Sequence, residues 1–426
     1  MRLLITNGKV IDPFGNYEGA ASILIEDGII KSIAKNGKIK NHSGAQVIDA
    51  AGMCVAPAFI DMHTHLREPG FENKETIRTG TLAALKGGFT TVCCMPNTNP
   101  VNDNPGITEY ILKKAAGEGS ARVLPIGAIT KGQKGEELAE MEMMRKAGCI
   151  AFSDDGRPVE SPTIMRRALE YAKGLGTLII SHAEDLQLSG GGVMNEGLLS
   201  ITLGLKGSPS VAEEVMIFRD IALCGLTGGR LHIAHVSTKG SVSIIRRAKE
   251  QGIKVTAETC PHYFSITEEA VTGYNTNAKV NPPLRGQEDV EAIKEGLKDG
   301  TIDVIATDHA PHGKESKTRE FDAAPFGISG LETALPLGLE LVRGGTLSMM
   351  ELIKKLTANP ARILRIEAGG IAEGLEARIC IFDPEKEYVF NSADMLSKGK
   401  NTPFDGWKLE GKTAWTILGE KVHEWA

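Results

Sequence analysis

Short apolar runs ending in polar residues recur along most of the chain, separated by longer stretches with helical spacing, and that alternation predicts βα units. Eight such runs occur, at residues 55–62, 89–95, 122–128, 149–153, 177–181, 231–236, 254–260 and 303–307. Their near-continuous apolar character is that of strands covered on both faces. The amphipathic stretches between them, such as Ser161 to Lys173 and Ser241 to Gln251, suit helices laid on a parallel sheet. Eight units in series predict an α/β chain with a closed (β/α)8 barrel over residues 55–366. The flanks differ. Residues 1–54 and 367–426 carry short alternating segments broken by Gly and Asn, such as Ile23 to Ile30 and Arg378 to Asp383. These predict antiparallel strands and hairpins, folded from both termini into one small β domain.

In such a barrel the chemistry gathers at the C-terminal ends of the strands. His63 and His65 end the first run, Asp154 and Asp155 the fourth; His182 follows the fifth, His235 ends the sixth and Asp308 follows the eighth. His63 and His65 are two apart and so share a face at their strand end. Four imidazoles and two carboxylates, counting the adjacent aspartates as one, suit two divalent ions sharing a carboxylate with a position open for water. Zinc matches a histidine-rich set best. The residues alone leave Asp154 and Asp155 as alternatives. Arg67, just beyond the histidine pair, adds a cation suited to an anion. His232 stands three residues from His235 and is expected on the opposite side of the strand, packing. His262 and His309 are expected behind the ligands, and His42 and His423 in solvent. The polar segment after His312, residues 313–322, is long for a βα loop and is expected to act as a lid. No His-Glu-x-x-His and no Gly-x-Ser-x-Gly is present, which argues against helix-borne zinc proteases and serine hydrolases. The run Gly127 to Lys134 has Gln133 where a phosphate loop needs lysine.

Composition narrows the partner. At 426 residues and 41% hydrophobic, the chain can bury one large core and a satellite. A net charge of -6 without a dense Lys/Arg run gives no footprint for nucleic acid or an anionic membrane, so a small molecule is expected. Seven cysteines, mostly within apolar runs and without a Cys-x-x-Cys pair, predict reduced buried thiols and a cytoplasmic protein. The N-terminal apolar run is too short for a signal peptide, and no stretch approaches the ~18 apolar residues of a membrane span.

The motifs His63-Thr-His65-Leu-Arg67-Glu-Pro-Gly70, Met95-Pro-Asn97-Thr, Phe152-Ser-Asp-Asp155-Gly, Ser-His182-Ala-Glu-Asp, His235-Val-Ser, Asn281-Pro-Pro-Leu-Arg285, Asp308-His-Ala-Pro-His312 and Ala324-Pro-Phe-Gly327-Ile together resemble the amidohydrolase superfamily. Within it they resemble the bacterial type I dihydroorotases. The resemblance implies a TIM-like metal-dependent hydrolase barrel with a small β-sandwich domain. It implies two zinc ions, one on His63, His65 and Asp308, the other on His182 and His235, with Asp155 shared. It also implies that His65, Arg67, Asn97, Asn281 and His312, with backbone near Phe326 and Gly327, hold substrate. The activity implied is the reversible cyclisation of N-carbamoyl-L-aspartate to (S)-dihydroorotate with loss of water, in pyrimidine (UMP) biosynthesis, with Asp308 carrying the proton. A homodimer and an association with aspartate transcarbamoylase are further expectations. Thr64 stands where relatives often have Val, and Glu376-Ala-Arg378 where an Ala-Asp pair is usual. Two alternatives compete. A hydantoinase or allantoinase resembles this barrel but expects a carboxylated lysine on the fourth strand, where this chain has Asp154-Asp155. A silent scaffold subunit for aspartate transcarbamoylase should lack ligands, and every expected ligand is here.

Overall fold

The computed structural model describes residues 1–39 and 43–425, so the expectation for His42 lies outside the described residues. The barrel strands follow one another in chain order: Phe59–Thr64, Phe89–Cys94, Arg122–Gly127, Ala151–Ser153, Ile179–Ser181, Leu231–Ile233, Val255–Thr259 and Val304–Ile305. Each pairs in parallel with the next. Helices wrap the outside where the apolar spacing places them. Pro162–Leu175 starts on the Ser161 hydroxyl, which accepts from the Ile164 N–H, and it buries Met165, Ala168, Leu169 and Ala172, one stripe at helical spacing. Lys239–Glu250 starts on Thr238 in the same way and buries Val242, Ile245 and Ala248.

First and eighth strands meet through side chains as well as backbone. Thr64 and His309 form an isolated parallel bridge. Below it, the Asp61 carboxylate accepts from the His63 N–H (3.0 Å), the Thr307 N–H (3.1 Å) and the Thr307 hydroxyl (2.5 Å). Asp61 is fully buried, and its three donors belong to His63 itself and to Thr307, the residue before Asp308. The carboxylate thus takes the place of ladder hydrogen bonds at the seam, fixing the strand ends from which candidate ligands project.

The apolar run at 55–62 divides between two sheets instead of forming one barrel strand. Cys54–Pro57 pairs antiparallel with Arg378–Val389 and parallel with Arg2–Asp12, and the barrel begins only at Phe59. Pro57 has no N–H for a continuing ladder, and the next free donor, Ala58 N–H, bonds the Arg378 carbonyl of the terminal sheet.

Both termini enter that one sheet, whose order is Lys421–Glu424, Lys408–Leu418, Arg378–Val389, Cys54–Pro57, Arg2–Asp12, Tyr17–Glu26 and Ile29–Lys35, with Gln46–Asp49 also on Arg2–Asp12. Hairpins make its edges, as the turn residues predict, but two of its pairings are parallel. Arg2–Asp12 shifts register between Ile5 and Gly8, so Leu3–Thr6 pairs with Gln46–Asp49 while Lys9 and Val10 pair with Cys54 and Val55. Gly8 allows this approach, because a Cβ there would lie 2.5 Å from a Val55 methyl. The bent sheet closes over Leu3, Ile5, Ile23, Ile25, Ile379, Ile381 and Ile417. All seven cysteines are buried free thiols. Among the described residues no helix is long and apolar enough to cross a membrane.

Candidate metal centre

His63, His65, Asp155, His182, His235 and Asp308 converge at the C-terminal mouth of the barrel, all of them buried. One ligand atom each from His63, His65 and Asp155 lies within 4.8 Å of the others, and so does one each from Asp155, His182 and His235. The two triads meet at Asp155. Asp308 joins the first, with Oδ1 at 2.9 Å from His65 Nε2 and 3.4 Å from His63 Nε2. Arg67, His235 and Asp308 have φ of 62°, 35° and 45°. Left-handed backbone costs a side-chain-bearing residue roughly 1–3 kcal/mol, and at these strand ends it turns side chains into the mouth instead of onward along the strand.

The adjacent aspartates part company. Asp154 accepts from the Ile129 N–H at 2.8 Å, the Thr130 N–H at 3.0 Å and the Thr130 hydroxyl, which ties the third strand's loop to the fourth. Asp155 faces the histidines, with Oδ1 at 3.3 Å from His235 Nε2 and 3.4 Å from His182 Nδ1, and Oδ2 at 3.4 Å from the Nε2 atoms of His63 and His65.

The donor set fits divalent cations. His63 Nε2 is buried without a hydrogen-bond partner, although Asp155 and Asp308 each come within 3.4 Å. Burial opposes a charge on His63, but Asp155, Asp308 and Glu258 outweigh it and lift the imidazole well above its ordinary range. Burial likewise pushes Asp155 up, yet the charge of His63 and hydrogen bonds from His182 and His235 hold it well below. His182 is raised to about 10 against its burial by Asp155 and Glu184. Buried carboxylates are here balanced by protons on imidazoles. Divalent cations would supply the same positive charge while leaving the imidazoles neutral, the form that binds metal.

Beside this cluster lies a cavity of about 310 Å³ that Arg67, Asn97, Asn281, His312, Phe326 and Gly327 help to line. Asn97 Oδ1 accepts from His65 Nδ1 at 2.9 Å, which leaves His65 Nε2 for Asp308. Asn281 donates to Glu184 at 2.9 Å, and Glu184 also reaches His182 Nε2 at 3.3 Å. Arg67 is buried, and its nearest acceptor is the Pro311 carbonyl at 3.4 Å; among the described residues no carboxylate pairs with it. Burial lowers it only to about 10, so it stays charged at neutral pH. His312, 3.4 Å away, donates from Nε2 to the Phe326 carbonyl at 2.8 Å, and burial with Arg67 drives its pKa down to about 2, so the ring is neutral. Gly327, at φ 141°, has its N–H on the Lys279 carbonyl and its own carbonyl on Asn401, and a Cβ there would lie 2.6 Å from the Ala310 carbonyl oxygen. The segment expected as a lid is docked by Lys317, whose ammonium donates to the Thr276, Lys279 and Pro325 carbonyls.

Other histidines sit as follows. His309 is buried, accepts from the Gly330 N–H and approaches Glu75 and Ser397. His262 is buried against the Tyr263 ring with Nε2 unpartnered, and His423 stacks on Trp425. His232 does more than pack, since it bonds both Thr256 and Glu258. Glu258 and Glu184 escaped the sequence reading. The one available signal was a glutamate inside the apolar run 254–260, where a charge stays only with partners.

Residues 52–241 match a family model described as dihydro-orotase-like. Curated proteins named dihydroorotase are similar over nearly the whole chain. That of Geobacter metallireducens is 55% identical over 99% of both chains, that of Geobacter sulfurreducens 56% over 99% of both, and that of Caldanaerobacter subterraneus subsp. tengcongensis 56% over 99% of this chain and 97% of its own. Among solved structures, the L-hydantoinase (dihydropyrimidinase) of Arthrobacter aurescens superposes with a TM-score of 0.87 at 25% identity, covering 99% of this chain and 95% of that one.

Proposed function

The chain belongs to the dihydroorotase family, and on that premise we propose that the convergent His/Asp cluster holds two zinc ions and interconverts N-carbamoyl-L-aspartate and (S)-dihydroorotate. His63, His65 and Asp308 would hold one ion, His182 and His235 the other, with Asp155 between them. The observation that carries the substrate is the buried Arg67 guanidinium, which lacks a carboxylate partner beside a ligand cluster. A buried cation of this kind is completed by an anionic ligand. Dihydroorotate carries a carboxylate on a ring whose amide must be opened, and both demands meet in one cavity.

Bound zinc would supply Lewis acidity, polarising the ring carbonyl and making water nucleophilic at neutral pH. The chain's own groups do the rest. Arg67 pairs with the substrate carboxylate, and the Asn97 and Asn281 amides orient the ring. Asp308 is pushed up by burial but held below the ordinary carboxylate range by His63 and His65, so it is ionised and ready to take a proton. It accepts the proton of the attacking water and delivers it to the departing ring nitrogen. In the closing direction it takes a proton from the carbamoyl nitrogen and gives it to the carboxylate oxygen, which with one further proton from solvent leaves as water.

The hydantoinase reading has the fold likeness in its favour. Charge separates the two, because hydantoin and dihydrouracil lack the carboxylate. Arg67→Met is expected to lower kcat/KM on dihydroorotate by about ten- to a hundredfold, the value of a charge-assisted contact of roughly 1.5–3 kcal/mol, with zinc retained. Slow hydrolysis of dihydrouracil should fall far less. Equal losses on charged and uncharged rings would move the assignment to a hydantoinase.

A further inference from the structure

Behind the ligand cluster, inside the barrel, three side chains with no part in the proposed chemistry form a continuous hydrogen-bonded chain. Glu258, on the seventh barrel strand, places Oε1 at 2.6 Å from His63 Nδ1 and Oε2 at 3.1 Å from His232 Nε2. His232 on the sixth strand continues through Nδ1 to the Thr256 hydroxyl at 2.8 Å. His63, His232 and Glu258 are all at most 1% exposed, so neither of the two Glu258 contacts competes with water. The pairing of the strands makes the geometry: His232 lies opposite Thr256 and Ile233 opposite Ala257, which sets Glu258 one step above the histidine.

A charged carboxylate at such depth is costly unless fully partnered. Both Glu258 oxygens are so partnered, Oε1 by the His63 ring and Oε2 by the His232 ring. A carboxylate oxygen 2.6 Å from Nδ1 accepts from it, so His63 carries a hydrogen on Nδ1. Once the ring is neutral, the form that binds metal, its lone pair is on Nε2, the buried atom without a hydrogen-bond partner that approaches Asp155 and Asp308.

We propose that Glu258 is the positioning residue of the first metal site, fixing the ring orientation and tautomer of His63, and that His232 and Thr256 hold Glu258 in that register. Glu258 touches neither substrate nor metal in this account. The inference rests on the reading of the cluster as a metal centre and adds an asymmetry to it: His63 has a carboxylate behind it, whereas His65 has the neutral amide oxygen of Asn97 at 2.9 Å. A carboxylate behind a metal-bound imidazole raises its basicity more than an amide does, and losing such a partner typically weakens metal binding about 10- to 100-fold.

The test is zinc binding by the whole chain in the absence of substrate. Glu258→Gln keeps the shape and an acceptor oxygen but removes the charge. One of the two zinc ions should then pass to a competing chelator at about 10- to 100-fold lower chelator activity, and anomalous scattering from crystals should show the depletion at the His63 position and not at His182/His235. In metal-free protein, at a pH high enough for the His63 ring to be neutral, its ¹⁵N shifts should report the Nδ1–H tautomer for the unaltered chain and a mixture for the variant. If Glu258→Gln does not fold, His232→Asn, which keeps the carboxylate and loosens its hold, should shift the same two readouts in the same direction by less. Uniform weakening of both positions, as a general loss of stability would give, or an unchanged tautomer would overturn the assignment of Glu258. An unaltered chain that binds no zinc at all would overturn the metal-centre reading instead.

Discussion

Asp308→Asn lowers dihydroorotate turnover by roughly a hundredfold to ten-thousandfold, the range associated with a positioned acid–base group, while the metal content stays near that of the unaltered protein. The amide keeps the shape and one ligand oxygen but cannot take up a proton at neutral pH. The expectation follows from position: Asp308 sits at φ 45° at the end of the eighth strand, 2.9 Å from His65 Nε2, facing the cavity that Arg67 also lines. Turnover and zinc content are measured on one preparation. Near-normal turnover with metal retained would remove Asp308 from proton transfer.

His235→Ala should have a comparable or larger effect by a different route. His235 Nε2 lies 3.3 Å from Asp155 and 2.8 Å from His182 Nδ1, so its loss takes one imidazole from a triad that has no spare ligand. The variant is expected to hold about one zinc ion, against the two expected of the unaltered chain. Turnover should fall at least about a hundredfold, the scale on which misplacement of a reacting group is felt. Elemental analysis decides it: two ions retained in His235→Ala would mean that His235 is not a ligand.

Much of this site was readable because the barrel obeys a positional rule, with ligands at strand ends, and five of the eight apolar runs stop where a His or Asp begins. His182 and Asp308 could be placed from that rule alone. The choice between Asp154 and Asp155 could not, because it depends on a loop from the neighbouring strand: Ile129 and Thr130 present donors that occupy Asp154 and leave Asp155 to the histidines. His232 is buried outside both triads, as expected of a packing residue, but its bonds to Thr256 and Glu258 come from the neighbouring strand and are not encoded in its spacing from His235. The parallel pairings of Arg2–Asp12 are non-local, and short-range turn signals do not encode them. Glu258 needed a partner from the first strand, 195 residues away in the chain, before its role had any meaning.

Metal in the His/Asp cluster, beside an Arg67 guanidinium that pairs with no carboxylate among the described residues, would account for dihydroorotase activity in this chain. The most direct measurement is ring opening of dihydroorotate by metal-free protein titrated with zinc, with hydantoin and dihydrouracil run in parallel. The account predicts no turnover without metal, activity rising until about two zinc ions are bound per chain, and strong preference for dihydroorotate. Full activity without bound metal, or a preference for the uncharged rings at saturation, would contradict it.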